Sequence, residues 1–332
     1  FKFEKNNRSI IILYMNFSPI VVFGFNRPKH INRMLESLSD NLESVDSEVI
    51  FYIDGFDNKN NQLIEETLEI VNKDWNFLKK VVNFREKNFG CKFNIINGIT
   101  EVLEKSESVI VLEDDLVLGK NFLNYMNSSI KKYKTSDNVW SISGWGHPQL
   151  FNTKSGSSFS SLTSPWGWGT WKENWNIFVE NKLYEKNLIS DLNEKEKNQF
   201  LFYGYADYWE EAIKKDLAGE NSVWDAYWYQ TIYINSGLTL FPNVSHIQNE
   251  GFDGTGLHCK ENDLFFTPLS NKKTNIFPEK IKISKIYKLN TFIFFLNYRR
   301  KQYFDYHKEK FSSFKNLKLF ILKKLNLNQS NN

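Results

Sequence analysis

The run VIVLEDDLVL, residues 109–118, sets three consecutive carboxylates, Glu113, Asp114 and Asp115, inside an otherwise apolar segment. Three adjacent acids repel a phosphorylated ligand unless a cation stands between them. Mg²⁺ or Mn²⁺ is commonly held by one or two carboxylates together with substrate phosphates, so the triplet reads as a site for such an ion. A solvated acidic turn would carry the same residues, because acids are common in loops. The position of the triplet in the fold distinguishes the two.

Strand and helix patterns alternate around it. SPIVVFGF (18–25), EVIFYID (48–54), LKKVVNF (78–84) and SVIVLE (108–113) are short apolar, β-rich runs. KHINRMLESL, NQLIEETLEIV and CKFNIINGITEVLEK between them carry helical spacing, with Ile31, Met34, Leu35 and Leu38 on one face. Such units predict an α/β fold with a parallel sheet covered on both faces. Right-handed crossovers then gather the strands' C-terminal ends along one edge, where ligands bind. The residues at those ends are Phe25, Asn26 and Arg27, then Asp54, then Arg85 and Lys87, and finally Glu113, Asp114 and Asp115. Their convergence on one crevice favours a functional ligand site over an idle acidic turn. GFNRPKH follows the first strand in place of a GxGxxG fingerprint, and no Walker loop is present, so the phosphates need the cation.

Two further clusters could shape a pocket. SPWGWGTWKENW holds Trp166, Gly167, Trp168, Trp171 and Trp175, and glycines beside indole rings let flat apolar faces approach a sugar; ordinary core packing is the competing reading. Trp166 and Trp168 are expected at the pocket, and Trp171 and Trp175 on a buried helix face. NEGFDGTGLHCKEN carries three glycines between 251 and 256 and reads as a loop able to close over a ligand. His258 is conceivable there as a metal or phosphate partner, and His246 less so, because a lone histidine is more often structural.

The composition, 41% hydrophobic and 24% charged over 332 residues, is that of a folded globular chain. Only Cys91 and Cys259 are present, which excludes a disulfide framework and a conventional zinc site and points to a reducing, cytoplasmic setting. The apolar cluster IIILYM near the start is far short of the roughly 20 residues that span a bilayer, so no signal peptide or span is read there. Residues 1–14 are read as an extension outside the fold. Between Glu279 and Lys324 stand 13 Lys or Arg against 3 acids, a local +10 in a chain whose net charge is +3. This tail interleaves basic residues with Phe, Leu and Ile at amphipathic spacing, as at Phe311, Phe314, Leu317 and Ile321. It predicts peripheral contact with an anionic membrane, the alternative being packing on the acidic body. No nucleic-acid recognition motif accompanies it.

The order of PIVVFGFNRP, VIFYIDGF, VIVLEDDLVLGKNFLNYM, NVWSISGW, SPWGWGTW, VWDAYW and FPNVSHIQNEGFDGTGLH resembles the GT-A class of nucleotide-sugar glycosyltransferases. The nearest resemblance is to the N-acetylglucosaminyltransferase I family and its bacterial relatives, from about Ser18 to His258. It implies a GT-A catalytic domain over residues 15–270, with a nucleotide-sugar half (15–118) and a mixed, acceptor-side half (119–270), followed by the basic helical tail (271–332). It also implies that Asp115 ligates the metal, that Glu113 and Asp114 contact the donor's sugar and ribose, and that Arg27 approaches the diphosphate or ribose. Asp54 would accept a hydrogen bond from the base. Asp225 matches the catalytic base, although Ala226 stands where the family has a second acid, and the helix before the acidic strand carries Asn94 and Asn97 where the family has a histidine. The implied activity is metal-dependent, inverting transfer of a sugar from a UDP-sugar, with UDP-GlcNAc suggested by the nearest family. The acceptor would be a glycan or glycolipid of a bacterial surface polysaccharide or lipooligosaccharide. An N-cap role is the competing reading for Asp225, and the base role is preferred to it, although one residue could serve both. A sugar nucleotidyltransferase and a non-catalytic carbohydrate-binding module are the rival readings.

Overall fold

The structure is a computed structural model that describes residues 17–57, 59, 61–151, 156–204, 206–252 and 265–311, with side chains described as far as Phe304. Its first half alternates β1 (Ile20–Gly24), α1 (Pro28–Ser39), β2 (Glu48–Ile53), α2 (Asn61–Asn72), β3 (Lys79–Phe84), α3 (Gly90–Leu103) and β4 (Ser108–Glu113). β5 (Leu116–Leu118), α4 (Phe122–Tyr133), β6 (Val139–Ser143), β7 (Ser157–Ser160), β8 (Trp168–Trp171) and α5 (Lys172–Glu180) come next. α6 (Glu194–Phe200), α7 (Tyr208–Leu217), α8 (Asp225–Ile234), β9 (Leu238–Pro242), β10 (Ile247–Asn249) and α9 (Lys285–Phe311) complete the chain.

Eight strands form one sheet in the order β3-β2-β1-β4-β8-β6-β9-β7. The first four are parallel, as the alternating pattern predicts. β8 runs antiparallel to both β4 and β6, which makes the second half mixed. This is the mixed α/β architecture expected of the GT-A class. β1 is buried at every residue because helices cover both faces of the sheet, and its run of Ile, Val and Phe leaves no polar face to expose. α1 starts with Pro28 in its first turn, where a missing amide costs nothing, and buries the predicted stripe of Ile31, Met34, Leu35 and Leu38.

The chain passes from β1 outward to β2 and β3 and then returns across the sheet to β4 on the other side of β1. A topological switch therefore lies between β1 and β4, whose C-terminal ends separate into a crevice. In the β1–β4 register Phe23 stands opposite Glu113, so the acidic triplet leaves the sheet beside Phe25–Arg27. A second, two-stranded sheet pairs β5 with β10, with Leu116 opposite Asn249, and carries the backbone of 249–251 alongside Asp115. The basic tail packs on the body over its first turns: Tyr287, Phe294 and Phe295 are buried. Of the tail positions that suggested amphipathic spacing, Phe314, Leu317 and Ile321 lie outside the described residues, as does the side chain of Phe311.

Close approach of α3 to the sheet depends on Gly98, where a Cβ would sit 2.6 Å from Phe23 Cε1 and 2.9 Å from Tyr52 Cδ2. Both rings are buried and stacked on each other, so neither can retreat. Gly98→Val is expected to lose about 1–3 kcal/mol through overpacking, read as a lowered urea midpoint.

Candidate functional site

A cavity of about 410 Å³ opens at the switch point. Its walls come from the ends of β1, β2 and β4, the start of α3, Trp166 before β8, the Ser222–Asp225 loop that enters α8, and Asn249 at the end of β10. The described lining includes Phe25, Asn26, Arg27, Asp54, Glu113, Asp114, Asp115, Trp166 and Asp225, residues drawn from five segments far apart in sequence. Asp57, Asn88, Cys91, Asn94 and Ser222 line it as well.

The site is short of positive charge. Six carboxylates, those of Asp54, Asp57, Glu113, Asp114, Asp115 and Asp225, line the cavity, and Arg27 is the one Lys or Arg among the described lining residues. Arg27 Nη1 pairs with Asp115 Oδ2 at 2.8 Å and reaches Asp114 Oδ1 at 3.5 Å. Burial is the main force raising the pKa of Glu113 well above the ordinary carboxylate range, and repulsion from Asp115, Asp114 and Asp225 adds to it. Asp114 is pushed up to about 7, first by burial and then by Asp115; Arg27 and the Phe25 amide, 3.4 Å from Oδ2, pull the other way. The same acids, acting after burial, hold the Cys91 thiol protonated. Among the described residues no three His, Cys, Asp or Glu side chains gather closely enough to cage an ion by themselves.

Each wall has its own anchor. Asp54 accepts three backbone amides, Gly55 N at 3.0 Å and Phe89 N at 2.8 Å on Oδ1 and Gly90 N at 2.9 Å on Oδ2. It thereby caps α3, whose own N-cap residue, Phe89, supplies no side-chain acceptor. Most of the acceptor capacity that the sequence assigned to a nucleotide base is taken up by the backbone. Asp225 is the first residue of α8 and not its N-cap, which is Trp224; its Oδ1 accepts the Ala226 amide at 2.9 Å, and the residue lines the cavity. Ala226 is fully buried, and an acid in its place would point into the core.

Four assigned positions stand elsewhere. Trp168 is fully buried behind the wall, stacked on Trp224 with centroids 5.3 Å apart and packed on Trp175 and Trp228. This is the core packing held as its competing reading. Gly167 between the two tryptophans has φ +58°, and a Cβ there would lie 2.6 Å from Ile247 Cδ1, so the glycine turns the chain and sends Trp166 and Trp168 to different environments. Arg85 lies against α3 outside the cavity lining, one hydrogen bond behind Asn94, with Nε to Asn94 Oδ1 at 3.0 Å, Nη1 to Glu101 at 2.8 Å and its guanidinium over the Tyr52 ring. Lys87 lies over the Phe89 ring, also outside the cavity lining. His258 lies outside the described residues. His246 is buried, stacked on Tyr125 and hydrogen-bonded to Thr274 at 3.0 Å, and burial lowers its pKa to about 4.

No protein-family model matches the chain, and no curated protein matches it. Similar solved structures include TarS from S. aureus, with 16% identity over 69% of this chain and a TM-score of 0.40. Another is the mannosyltransferase PcManGT from Pyrobaculum calidifontis in complex with GDP-Man and Mn2+, with 10% identity over 49% of this chain and a TM-score of 0.33. The matched region spans 36% of the TarS chain and 48% of the mannosyltransferase chain.

One buried contact joins two of the cavity's walls. Lys92 of α3 pairs with Asp216 of α7 at 2.6 Å, both side chains nearly excluded from solvent. Asp216 also accepts the Tyr227 hydroxyl at 2.8 Å and the Val223 amide at 3.0 Å, so the loop leading to Asp225 is tied to the helix that carries Cys91 and Asn94. Removing one partner strands the other charge. Lys92→Met is expected to cost about 3–5 kcal/mol, measured by chemical denaturation, and adding Asp216→Leu should recover part of the loss.

Proposed function

We propose that the chain is a metal-dependent, inverting glycosyltransferase that moves a sugar from a nucleoside diphosphate donor to a hydroxyl of a glycan or lipid-borne glycan. The supporting observation is the imbalance of six carboxylates against one guanidinium in a cavity at the switch point, with Asp225 facing the acidic cluster from another element. A carbohydrate-binding module has no need of clustered acids whose pKa values rise through burial and, after it, mutual repulsion. A sugar nucleotidyltransferase fits less well because a basic, glycine-rich loop would be expected where FNRPKH stands.

The residues fit a divalent ion by their chemistry. Asp115 keeps a partly exposed carboxylate beside Arg27, and Glu113 and Asp114 are held above the normal carboxylate range first by burial and then by repulsion from neighbouring acids. Asp115 would hold the ion with the donor's phosphates completing its shell. Bound there, Mn²⁺ or Mg²⁺ would supply Lewis-acid neutralisation of the departing diphosphate.

The chain's own groups carry the rest of the step. The Asp225 carboxylate takes the proton of the acceptor hydroxyl as that oxygen bonds to the anomeric carbon, and the bond from the anomeric carbon to the diphosphate oxygen breaks with its electron pair leaving on the phosphate. Attack from the face opposite the leaving group inverts the anomeric configuration. Arg27, released from Asp115 as the donor and ion enter, can turn its guanidinium to the diphosphate. Trp166 offers an apolar wall to the sugar, edge-on to Trp145 at 4.9 Å. We assign the donor as a UDP-sugar, UDP-GlcNAc first, and the setting as assembly of a bacterial surface polysaccharide on the cytoplasmic side. Residues 15–270 form the catalytic unit in this reading.

Two measurements test it. UDP with Mn²⁺ should raise the Tm by several degrees, and Asp115→Ala should abolish that rise; indifference of the wild type to every nucleotide and metal would sink the proposal. Asp225→Asn should leave the nucleotide-induced rise intact and lower kcat about 10²–10⁴-fold, the usual contribution of a general base.

A further inference from the structure

α9 carries two apolar stripes, and packing accounts for only one. The helix is 27 residues long, about 40 Å, and buries Tyr287, Thr291, Phe294 and Phe295 against the body. On its opposite side Ile286, Leu289, Leu296, Tyr303 and Phe304 stand in solvent, between 39% and 63% exposed. Steps of three and seven residues keep Ile286, Leu289, Leu296 and Tyr303 on one side of the helix, and Phe304 follows Tyr303 at its edge. From Lys280 to Phe304 the chain has seven Lys or Arg and no Asp or Glu. Lys282, Lys285, Lys288 and Arg300 are exposed along the ridge, whereas Arg299 turns to Asp207 and the Gly204 carbonyl and fastens the helix to the body.

We propose that this outer face of α9 docks on an anionic lipid surface, lying in the plane of the headgroups with its aliphatic ridge sunk among them. Asp305 and Glu309 come only in the last turns of the helix, and over Lys280–Phe304 exposed apolar side chains with only cations as charged sequence neighbours suit a phase that is apolar below and negative above. A second copy of the chain is a poorer occupant, since a two-fold contact through this face would oppose the same cations to one another. Nucleic acid would match the charge but gain nothing from Ile286, Leu289 and Leu296. The helix lies on the surface and does not cross it: no described helix is long and apolar enough to span a membrane. Docking would also set the surface close to the cavity, because Phe294 on the inner stripe meets Trp145, which packs on Trp166 of the cavity wall. The proposal goes beyond the transfer reading and does not depend on it.

Co-sedimentation of the full chain with vesicles tests it. The protein should pellet with phosphatidylcholine–phosphatidylglycerol vesicles, stay in solution with phosphatidylcholine alone, and be released by salt. Ile286→Asp with Leu289→Asp, and separately Lys282→Glu with Lys285→Glu, should each weaken binding by about tenfold or more with Tm unchanged, because all four side chains are exposed. Should the aspartate pair unfold the protein, the glutamate pair carries the test. Equal binding to both lipids, no binding to the anionic vesicles, undiminished binding of the variants, or a dimer that the aspartate pair dissociates would each overturn the proposal. Nucleotide-induced stabilisation is expected to be the same in wild type and variants, so its failure is distinguishable from failure of the lipid contact.

Discussion

Desolvated negative charge at the end of β4 is the constraint around which the site is organised. A parallel strand buried on both faces delivers its C-terminal residues into a crevice where water is scarce, and here those residues are three consecutive acids. Carboxylates in that position destabilise their ionised forms, and the raised pKa values of Glu113 and Asp114 express it. Arg27 relieves part of the repulsion, through one close contact to Asp115 and one long contact to Asp114. A chain seeking only stability would place apolar or neutral residues there. The retained imbalance has a chemical use if a further cation arrives with the substrate.

The cavity keeps its shape because its walls are cross-braced. β2 reaches α3 through Asp54 and the amides of Phe89 and Gly90. α3 reaches α7 and the loop before α8 through Lys92 and Asp216. β10 is paired to β5, which follows the acidic triplet directly, so Asn249 enters the lining from the other side. Each brace is polar and largely buried, and such contacts fix geometry more strictly than apolar packing does, since a misaligned donor or charge loses most of its partner's compensation. A site that must hold a reacting hydroxyl near a carboxylate gains from that strictness.

Much of this was legible in the sequence because it follows from backbone periodicity. Continuous apolar runs mark β1, β2 and β4, and the alternation of strand and helix is enough to bring Arg27, Asp54 and Asp115 to one edge. What was not legible depends on contacts between distant segments. Trp166 and Trp168 have like flanks in the sequence, yet the positive φ of Gly167 separates them, one to the cavity and one to an indole cluster. Asp54 reads as an available acceptor, but the amides that occupy it lie 35 and 36 residues further along. Lys92 looks like a surface residue of an amphipathic helix until Asp216, 124 residues away, is placed beside it. Arg85 follows β3, the outermost of the parallel strands, and is held by Asn94, Glu101 and the Tyr52 ring outside the cavity lining. The mixed second half, where β8 reverses direction beside β4, has no local periodic signature that distinguishes it from a parallel continuation.

Asp225 shows how one residue can belong to both halves. At the first position of α8 it lies where the helix's unpaired amides favour an anion, and the Ala226 amide holds one of its oxygens. Across the cavity Glu113 repels it, since their charges act on each other reciprocally. The helix end steadies the carboxylate in place, facing the acidic cluster across the cavity. A cation entering between them would weaken the repulsion, so the same binding event that admits a diphosphate also alters the environment in which Asp225 meets an acceptor hydroxyl. In the proposed reaction, donor binding and proton transfer would be coupled in this way through electrostatics.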